Sequence, residues 1–251
     1  MHGKWVPAAG LCLLLLAWLL ASYVGGPDGF PGPGAVFASL AARAKDGTLW
    51  HGILLSFRRL LIGYGMSLAV GGALGLAMAA SDTFRRAFSP VIIGLSALPS
   101  ICWLPMGLLW FGLSDAAILF VIVLGSSLSI AIAIDAGCRH VTPLYVRAGR
   151  TMGASGWTLY RRVVLPAALP EIVTGLRLAW AFAWRSLMAG ELLFVTGGLG
   201  QLLQTGRELG DMAQVVAVMI VIVALGIATE QVLFARFQDR LRERWGRVAD
   251  H

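Results

Sequence analysis

Charged side chains are scarce in this sequence. Only 13% of its 251 residues are Asp, Glu, Lys or Arg, whereas a soluble domain carries about 25%. The hydrophobic share is 58%, the mean hydropathy is +0.78, and the apolar residues form continuous blocks. This scarcity of charge excludes an ordinary soluble domain. It predicts an all-α membrane protein, because uninterrupted apolar blocks favour helices over a β-barrel.

Lysine, cysteine and histidine are also rare. Neither of the two lysines, Lys4 and Lys45, precedes a Ser or Thr, so the sequence lacks the Gly-Lys-Ser/Thr step of a P-loop. The three cysteines and four histidines show no metal-ligand spacing. The H-E-x-x-H and G-x-S-x-G motifs of hydrolases do not occur either. We therefore predict a non-catalytic protein with no cofactor of its own.

Six apolar blocks are long enough to cross a bilayer. The predicted spans are residues 6–24, 60–80, 88–113, 116–134, 172–195 and 213–235. The first block is longer than a signal-peptide core and no A-x-A site follows it, so we interpret it as a retained helix. The predicted divisions are an N-terminal helix with an outer segment (1–59), a transmembrane core (60–235) and a basic tail (236–251).

The distribution of Lys and Arg predicts the orientation of these spans. With a cytoplasmic N-terminus, 13 of the 20 basic residues lie inside and 5 outside. This excess matches the positive-inside rule, so both termini are predicted to be cytoplasmic. The net charge of +7 then reflects orientation in the membrane, and nucleic acid is not an expected partner. We predict a multi-pass protein of the bacterial inner membrane, in contact with lipid.

Two features of the first half leave alternatives open. Residues 35–57 mix apolar and polar side chains and form either a helix at the outer interface or a packed loop. In the second span, small residues recur at every fourth position. This register favours a tight helix–helix seam, within the subunit or across a dimer, over the general glycine enrichment of membrane helices. The residues are Gly63, Ser67, Gly71, Gly75 and Ala79.

Three charges interrupt the fifth span, namely Arg177, Arg185 and Glu191. Each is costly in lipid, so this helix is predicted to be shielded or to line a polar cavity. Arg185 is the most central charge. It belongs to a path for anions, forms a structural pair with a carboxylate of another helix, or reaches the membrane interface with its side chain.

The third span contains Pro99 and Pro105, with Ser100 and Trp103 between them. An interior proline removes a backbone hydrogen bond and kinks a helix. The kink is either part of a translocation path or gate, or a purely structural bend. With Arg59 at the outer mouth and Arg185 midway, a basic path would favour a small anion. The predicted path residues are Arg59, Pro99, Ser100, Trp103, Pro105, Arg177, Arg185 and Glu191.

The segment 139–170 carries five arginines and a distinctive order of small residues. Gly153 predicts a break between two short helices, and Pro166 and Pro170 are predicted to end the loop before the fifth span. Such a helix-turn-helix could press on a soluble partner, although physical grounds alone favour a solvated basic loop.

This segment resembles the cytoplasmic EAA motif of the permeases of binding-protein-dependent ABC transporters, whose pattern is roughly EAAxxxGAS followed by LPxxxP. The sequence departs from the pattern at Arg147, which replaces Glu, and at Gly149, which replaces Ala. The first departure removes any role for that carboxylate here. The matching residues are Ala148, Gly153, Ala154, Ser155, Leu165, Pro166 and Pro170.

Other segments resemble the nitrate, taurine and alkanesulfonate branch of that family. They are Pro31-Gly-Pro33, Ser56-Phe-Arg-Arg59, the run from Pro99 through Trp103 and Pro105 to Trp110-Phe-Gly112, Thr174-Gly-Leu-Arg177 and Ala189-Gly-Glu191-Leu. The resemblance covers about residues 30–245. It implies six transmembrane helices in the fold of type I ABC importer permeases, and import of a small anion such as a sulfonate, taurine or nitrate.

The resemblance also implies partners. These are a second copy of the permease, two ATP-binding subunits that hold ATP and Mg, and a periplasmic or lipid-anchored solute-binding protein. An ATP-independent secondary transporter or channel is the alternative. The residues implied in coupling to the ATPase are Arg147, Ala148, Gly149, Gly153, Ala154, Ser155, Trp157, Arg161, Arg162 and Pro166.

Overall fold

The computed structural model describes residues 13, 15–24, 26, 30–194 and 197–235. All regular structure within these residues is helical, as predicted. Four helices are long and apolar enough to cross a membrane, and a strongly bent pair of helices supplies a fifth candidate. Residues 6–12 and 14 of the predicted first span, and the basic tail, 236–251, lie outside the described residues. The count of six spans and the orientation therefore stay predictions.

The helices are as follows in chain order: α1 (Leu15–Val24), α2 (Pro33–Lys45), α3 (Thr48–Ala80), α4 (Asp82–Ser96), α5 (Leu104–Phe111), α6 (Asp115–Arg139), α7 (Pro143–Thr151), α8 (Gly156–Leu193), α9 (Leu199–Glu208) and α10 (Met212–Glu230). A 3₁₀ turn, Ser100–Trp103, precedes α5, and a π-helical turn, Gln231–Ala235, follows α10. The chain packs as two compact units. One comprises Met1–Ser56 and Glu191–Leu225, and the other comprises Phe57–Gly190 and Gly226–His251.

The second span begins well before the predicted boundary at residue 60. Helix α2 ends near Gly47, which has a φ of +79°, and α3 then runs without a break for 33 residues. Asp46 starts α3 by accepting hydrogen bonds from the Thr48 hydroxyl and amide at 2.6 and 2.9 Å. These bonds lower the pKa of Asp46 below its usual value. Residues 35–57 thus form neither a single interfacial helix nor a loop, because their second half is the start of α3.

The stripe of small residues on α3 packs against α6 within the subunit. A Cβ added at Gly71 would lie 2.3 Å from the Ser127 carbonyl oxygen, and one at Gly75 would lie 2.8 Å from the Ala131 carbonyl oxygen. The Ser126 hydroxyl donates to the Ser67 hydroxyl across the same seam at 2.7 Å. The predicted seam is therefore present, and the structure places it inside one chain.

Gly71→Ala is expected to lower the free energy of unfolding by about 1–3 kcal/mol, because the new methyl group overpacks the α3–α6 seam. The neighbouring Gly72 provides the control, since no atom lies within 4 Å of its Cβ position. Gly72→Ala should be neutral or stabilising by up to about 1 kcal/mol through helix propensity. Equilibrium unfolding in detergent micelles measures both, and equal effects would contradict the assigned seam.

The third span is broken at Pro99, as the sequence predicted. Helix α4 and the Ser100–Phe111 segment are bent by 98°, and Pro99 immediately precedes the 3₁₀ turn. Pro105, however, lies in the first turn of α5, where an amide has no intrahelical acceptor in any case. The prediction that Pro105 also kinks the span is therefore wrong. Pro105 supports the start of the new helix.

The segment 139–170 is more helical than predicted. Helix α8 begins at Gly156, passes through a π-helical turn, Tyr160–Val164, and continues to Leu193. Pro166 and Pro170 lie within this helix and do not end a loop before it, which corrects the prediction. The wider π turn contains Arg162, four residues before Pro166, and relaxes the hydrogen-bond ladder at the carbonyl with which the Pro166 ring would otherwise clash.

Candidate functional site

A cavity of about 210 Å³ lies at the bend of the third span. Pro99, Ser100 and Trp103 from the bend line it together with Ser129 from α6 and Phe182 from α8. Three of the predicted path residues are thus brought together around one space, whereas Pro105 is not among its lining residues. The hydroxyl groups of Ser100 and Ser129 can donate hydrogen bonds to a bound solute.

A second cavity of about 420 Å³ adjoins the first. It extends along α6 to Ala136 and along α8 to Glu171, so it leads from the bend toward the basic hairpin, residues 139–164. Ser96, Ser129 and Phe182 line both cavities. The Glu171 carboxylate at the far end contacts His140 Nδ1.

Arg185 lies beside these cavities and does not line either of them. Its side chain is exposed, and its guanidinium carbon lies 4.9 Å from the centroid of the Phe182 ring. This distance is typical of a cation–π interaction. Arg185 has no carboxylate partner among the described residues, which does not support the structural-pair alternative.

Sequence reasoning missed Phe182. An aromatic residue three positions before an intramembrane arginine lies on the same helical face, and this spacing was the available signal.

Other arginines of the predicted path form ion pairs. Arg177 Nε donates to Glu230 Oε1 at 2.7 Å and thereby links α8 to α10. Arg59 is 2% exposed, and its Nε donates to Asp115 Oδ1 at 3.1 Å. Arg58 Nη2 donates to the other Asp115 oxygen at 2.9 Å. The Arg59–Asp115 and Arg177–Glu230 pairs therefore connect parts of the fold. The roles of the two arginines in transport stay predictions.

Glu191 is completely buried at the end of α8. The Ser56 hydroxyl lies 2.7 Å from its Oε2, and the Gly200 amide donates to the same oxygen at 3.0 Å. A Cβ added at Gly198 would lie 2.4 Å from Glu191 Oε1. The Ser56 oxygen also accepts a bond from the Leu199 amide at 2.9 Å. The structure thus places Glu191 in a closed polar cluster, and its predicted role in the path stays untested.

The turn between α7 and α8 explains the glycine of the motif. Gly153 has a φ of +84°, its amide donates to the Arg150 carbonyl at 3.0 Å, and the Ala154 amide donates to the Gly149 carbonyl at 2.9 Å. This pattern is a Schellman motif, which needs a left-handed residue at the Gly153 position. The predicted break between two helices is therefore found at Gly153.

The hairpin exposes a group of large apolar side chains. Met152 is 87% exposed and Trp157 is 63% exposed, and Arg147, Arg161 and Arg162 are exposed around them. Exposed apolar groups surrounded by charge are typical of protein interaction surfaces. Leu144 and Tyr145 extend the same surface along α7.

The hairpin is also tied to the bundle. The Tyr160 hydroxyl donates to the Ala79 carbonyl at the end of α3. Gly149 allows α7 to pack closely on α8, because a Cβ there would lie 2.9 Å from both Leu159 and Val163. Trp157 and Phe182 both lie on helix α8, which is continuous between them. At about 1.5 Å per residue, the two residues are roughly 38 Å apart along the helix.

Two relatives of known name are similar in sequence to most of this chain. The taurine transport system permease protein TauC of Escherichia coli is 32% identical over 225 residues, which cover 90% of this chain and 76% of that protein. A protein named as an aliphatic sulfonates transport permease, SsuC, of the same organism is 31% identical over 92% of this chain and 88% of its own length.

Among solved structures, an inward-facing conformation of the MetNI methionine ABC transporter has a similar fold. The TM-score is 0.69 at 19% identity, and the alignment covers 77% of this chain and 96% of that chain. This likeness confirms the predicted fold of a type I ABC importer permease.

Residues 69–243 match the family described as "Binding-protein-dependent transport system inner membrane component". This range contains the bend, both cavities and the basic hairpin. The chain therefore belongs to this family, and it is an inner-membrane permease subunit of an ABC importer.

Proposed function

We propose that this permease imports a small organic sulfonate and works as a homodimer driven by two ATP-binding subunits. The names of the relatives, which refer to taurine and aliphatic sulfonates, support the solute class. The observation that carries the proposal is the continuity of α8. One helix bears Trp157 on the exposed hairpin and Phe182 at the cavities, so a force applied at the hairpin reaches the path.

The mechanism follows from this connection. ATP binding brings the two ATP-binding subunits together, and each carries with it the hairpin that it holds. Because the hairpin is bonded to α3 and continuous with α8, the helices move with it and expose the cavities to alternate sides of the membrane. ATP and Mg stay in the partner subunits, and the solute arrives from an external binding protein.

The position of Arg185 supports two parts of the proposal, namely an anionic solute and a second copy of the permease. An arginine near the middle of a span costs about 2.5–3.5 kcal/mol or more in lipid, yet this side chain is exposed in the single chain. Its face is therefore expected to meet water or a second permease across the path. An uncompensated cation in such a position attracts a sulfonate and repels a cationic solute.

Uptake into proteoliposomes tests the proposal. The permease, its ATP-binding subunits and the solute-binding protein are reconstituted together, and radiolabelled taurine and ethanesulfonate are supplied on the side of the binding protein. Uptake should require ATP, and Arg185→Gln should lower its rate by roughly tenfold, equivalent to about 1.4 kcal/mol.

The exposed Arg86 at the start of α4 provides the matched control, and Arg86→Gln should leave uptake unchanged. Uptake by the permease alone and without ATP would instead identify an ATP-independent carrier. Equal uptake of choline and ethanesulfonate would contradict the anionic solute.

A further inference from the structure

We propose that the Phe182 side chain is a gate between the two cavities, and that Arg185 holds this gate closed until an anion arrives. The inference deepens the proposed function, since it rests on the import of an anion through these cavities. Phe182 is the only aromatic residue among the three that line both spaces. Its ring thus lies at the junction between the two cavities.

The other two residues that line both cavities, Ser96 and Ser129, have small side chains. The Ser96 hydroxyl is bonded to its own helix through the Ile93 carbonyl at 2.8 Å. Helices α6 and α8 approach so closely that a Cβ at Gly125 would lie 2.2 Å from Ser186 Oγ and 3.1 Å from Ser100 Cβ. A change of rotamer moves the half-buried Phe182 ring without moving the helix backbones, so this ring is the part of the junction that opens in the proposed gate.

Arg185 restrains that rotation. Its guanidinium group lies over the ring at 4.9 Å, and an arginine held in this way loses the contact if the ring swings away. Within the described residues no carboxylate competes with the ring for this cation. The closed position of Phe182 is therefore maintained by an interaction that a solute can replace.

An oxyanion is suited to replace it. Charge-assisted hydrogen bonds from a guanidinium to a sulfonate are stronger than a cation–π contact, so an anion near the ring draws Arg185 away and frees Phe182. A cationic solute has no such effect and is repelled by the arginine. The Phe182–Arg185 pair thus selects for the charge of the solute as well as closing the path.

Cysteine accessibility tests this gate without the ATP-binding subunits. The native cysteines are replaced by alanine, and Ser100→Cys is introduced into the first cavity. Inside-out membrane vesicles present the predicted cytoplasmic side to an anionic or a cationic methanethiosulfonate reagent (sulfonatoethyl or trimethylammonioethyl). Labelling should be slow with Phe182 present, at least tenfold faster with Phe182→Ala, and slow again with Phe182→Tyr.

The preference between the two reagents tests the role of Arg185. The anionic reagent should react several-fold faster than the cationic one, after correction for their reactivities with a free thiol. Arg185→Gln should remove this preference and speed labelling by both reagents, whereas Arg185→Lys should largely retain the preference. Ala136→Cys, which lies in the second cavity only, serves as the control and should react at the same rate in every Phe182 background.

Equal labelling of Ser100→Cys with and without the phenylalanine ring would overturn the gate. An unchanged reagent preference in Arg185→Gln would overturn the role of the arginine. A change at Ala136→Cys would show that the substitutions disturb the helices and would also contradict a side-chain gate. Failure of ATP-driven sulfonate uptake would remove the proposed function without altering these labelling rates, so the two failures are distinguishable.

Discussion

Gly198→Ala is expected to lower the free energy of unfolding by about 3–5 kcal/mol, which combines backbone strain with overpacking. The backbone at Gly198 has a φ of +104°, a conformation that penalises any side chain. The new methyl group would also meet the Glu191 carboxylate at 2.4–2.5 Å. That carboxyl group cannot yield without losing its bonds to Ser56 and Gly200, and a buried polar group without its hydrogen bonds is costly.

Gly210 is a matched control for the strain alone. It has a φ of +70°, and no atom lies within 4 Å of its Cβ position. Gly210→Ala should therefore cost only about 1–2 kcal/mol. Denaturant titration in detergent, followed by tryptophan fluorescence, gives both values. Equal losses in the two variants would show that the cluster around Glu191 tolerates the added group.

Gly153→Val is expected to abolish coupling while leaving the subunit folded. Valine in a left-handed conformation is strained by about 1–2 kcal/mol or more, so the turn should rearrange and lose the bonds from the Gly153 and Ala154 amides. No atom lies within 4 Å of the Cβ position at Gly153, so the damage is confined to the geometry of the hairpin. ATP-driven uptake should fall at least tenfold, while ATP hydrolysis by the complex continues.

Gly47→Val is the corresponding control. Gly47 has a φ of +79° and equally open surroundings, but it lies between α2 and α3 and far along the chain from the hairpin. It should carry a similar strain and retain coupled uptake. Uptake that stays tied to ATP hydrolysis in Gly153→Val would refute the mechanical role of the hairpin.

The sequence predicted the helical elements better than their contacts. The stripe from Gly63 to Ala79 correctly indicated a close seam, because small residues at every fourth position form one helical face that another backbone can approach closely. The identity of the partner helix could not be derived, since Ser127 and Ala131 contribute backbone carbonyls that any sequence would provide. The same limit applies to Glu191, whose partner Ser56 is 135 residues away.

The effects of the prolines were also predicted incompletely, because the effect of a proline depends on its position within a helix. Pro99 broke the third span as expected, whereas Pro105 began a helix. The sequence predicts that Pro166 and Pro170 end the loop, yet α8 passes through a π turn at 160–164 and continues past both prolines. Nothing in the local pattern of Tyr160-Arg-Arg-Val-Val164 indicates a π turn, so this continuity, on which the proposed coupling rests, required the structure.

Site-specific photocrosslinking at Trp157 tests the central claim most directly. A photoreactive phenylalanine analogue is placed at residue 157, or at the equally exposed Trp50 as a control, since both side chains are 63% exposed. On irradiation of intact cells that also express the ATP-binding subunit, residue 157 should form a covalent adduct with that subunit and residue 50 should form none. An adduct of residue 50 with the ATP-binding subunit, or a residue 157 that reacts only with proteins on the periplasmic side of the membrane, would contradict the account.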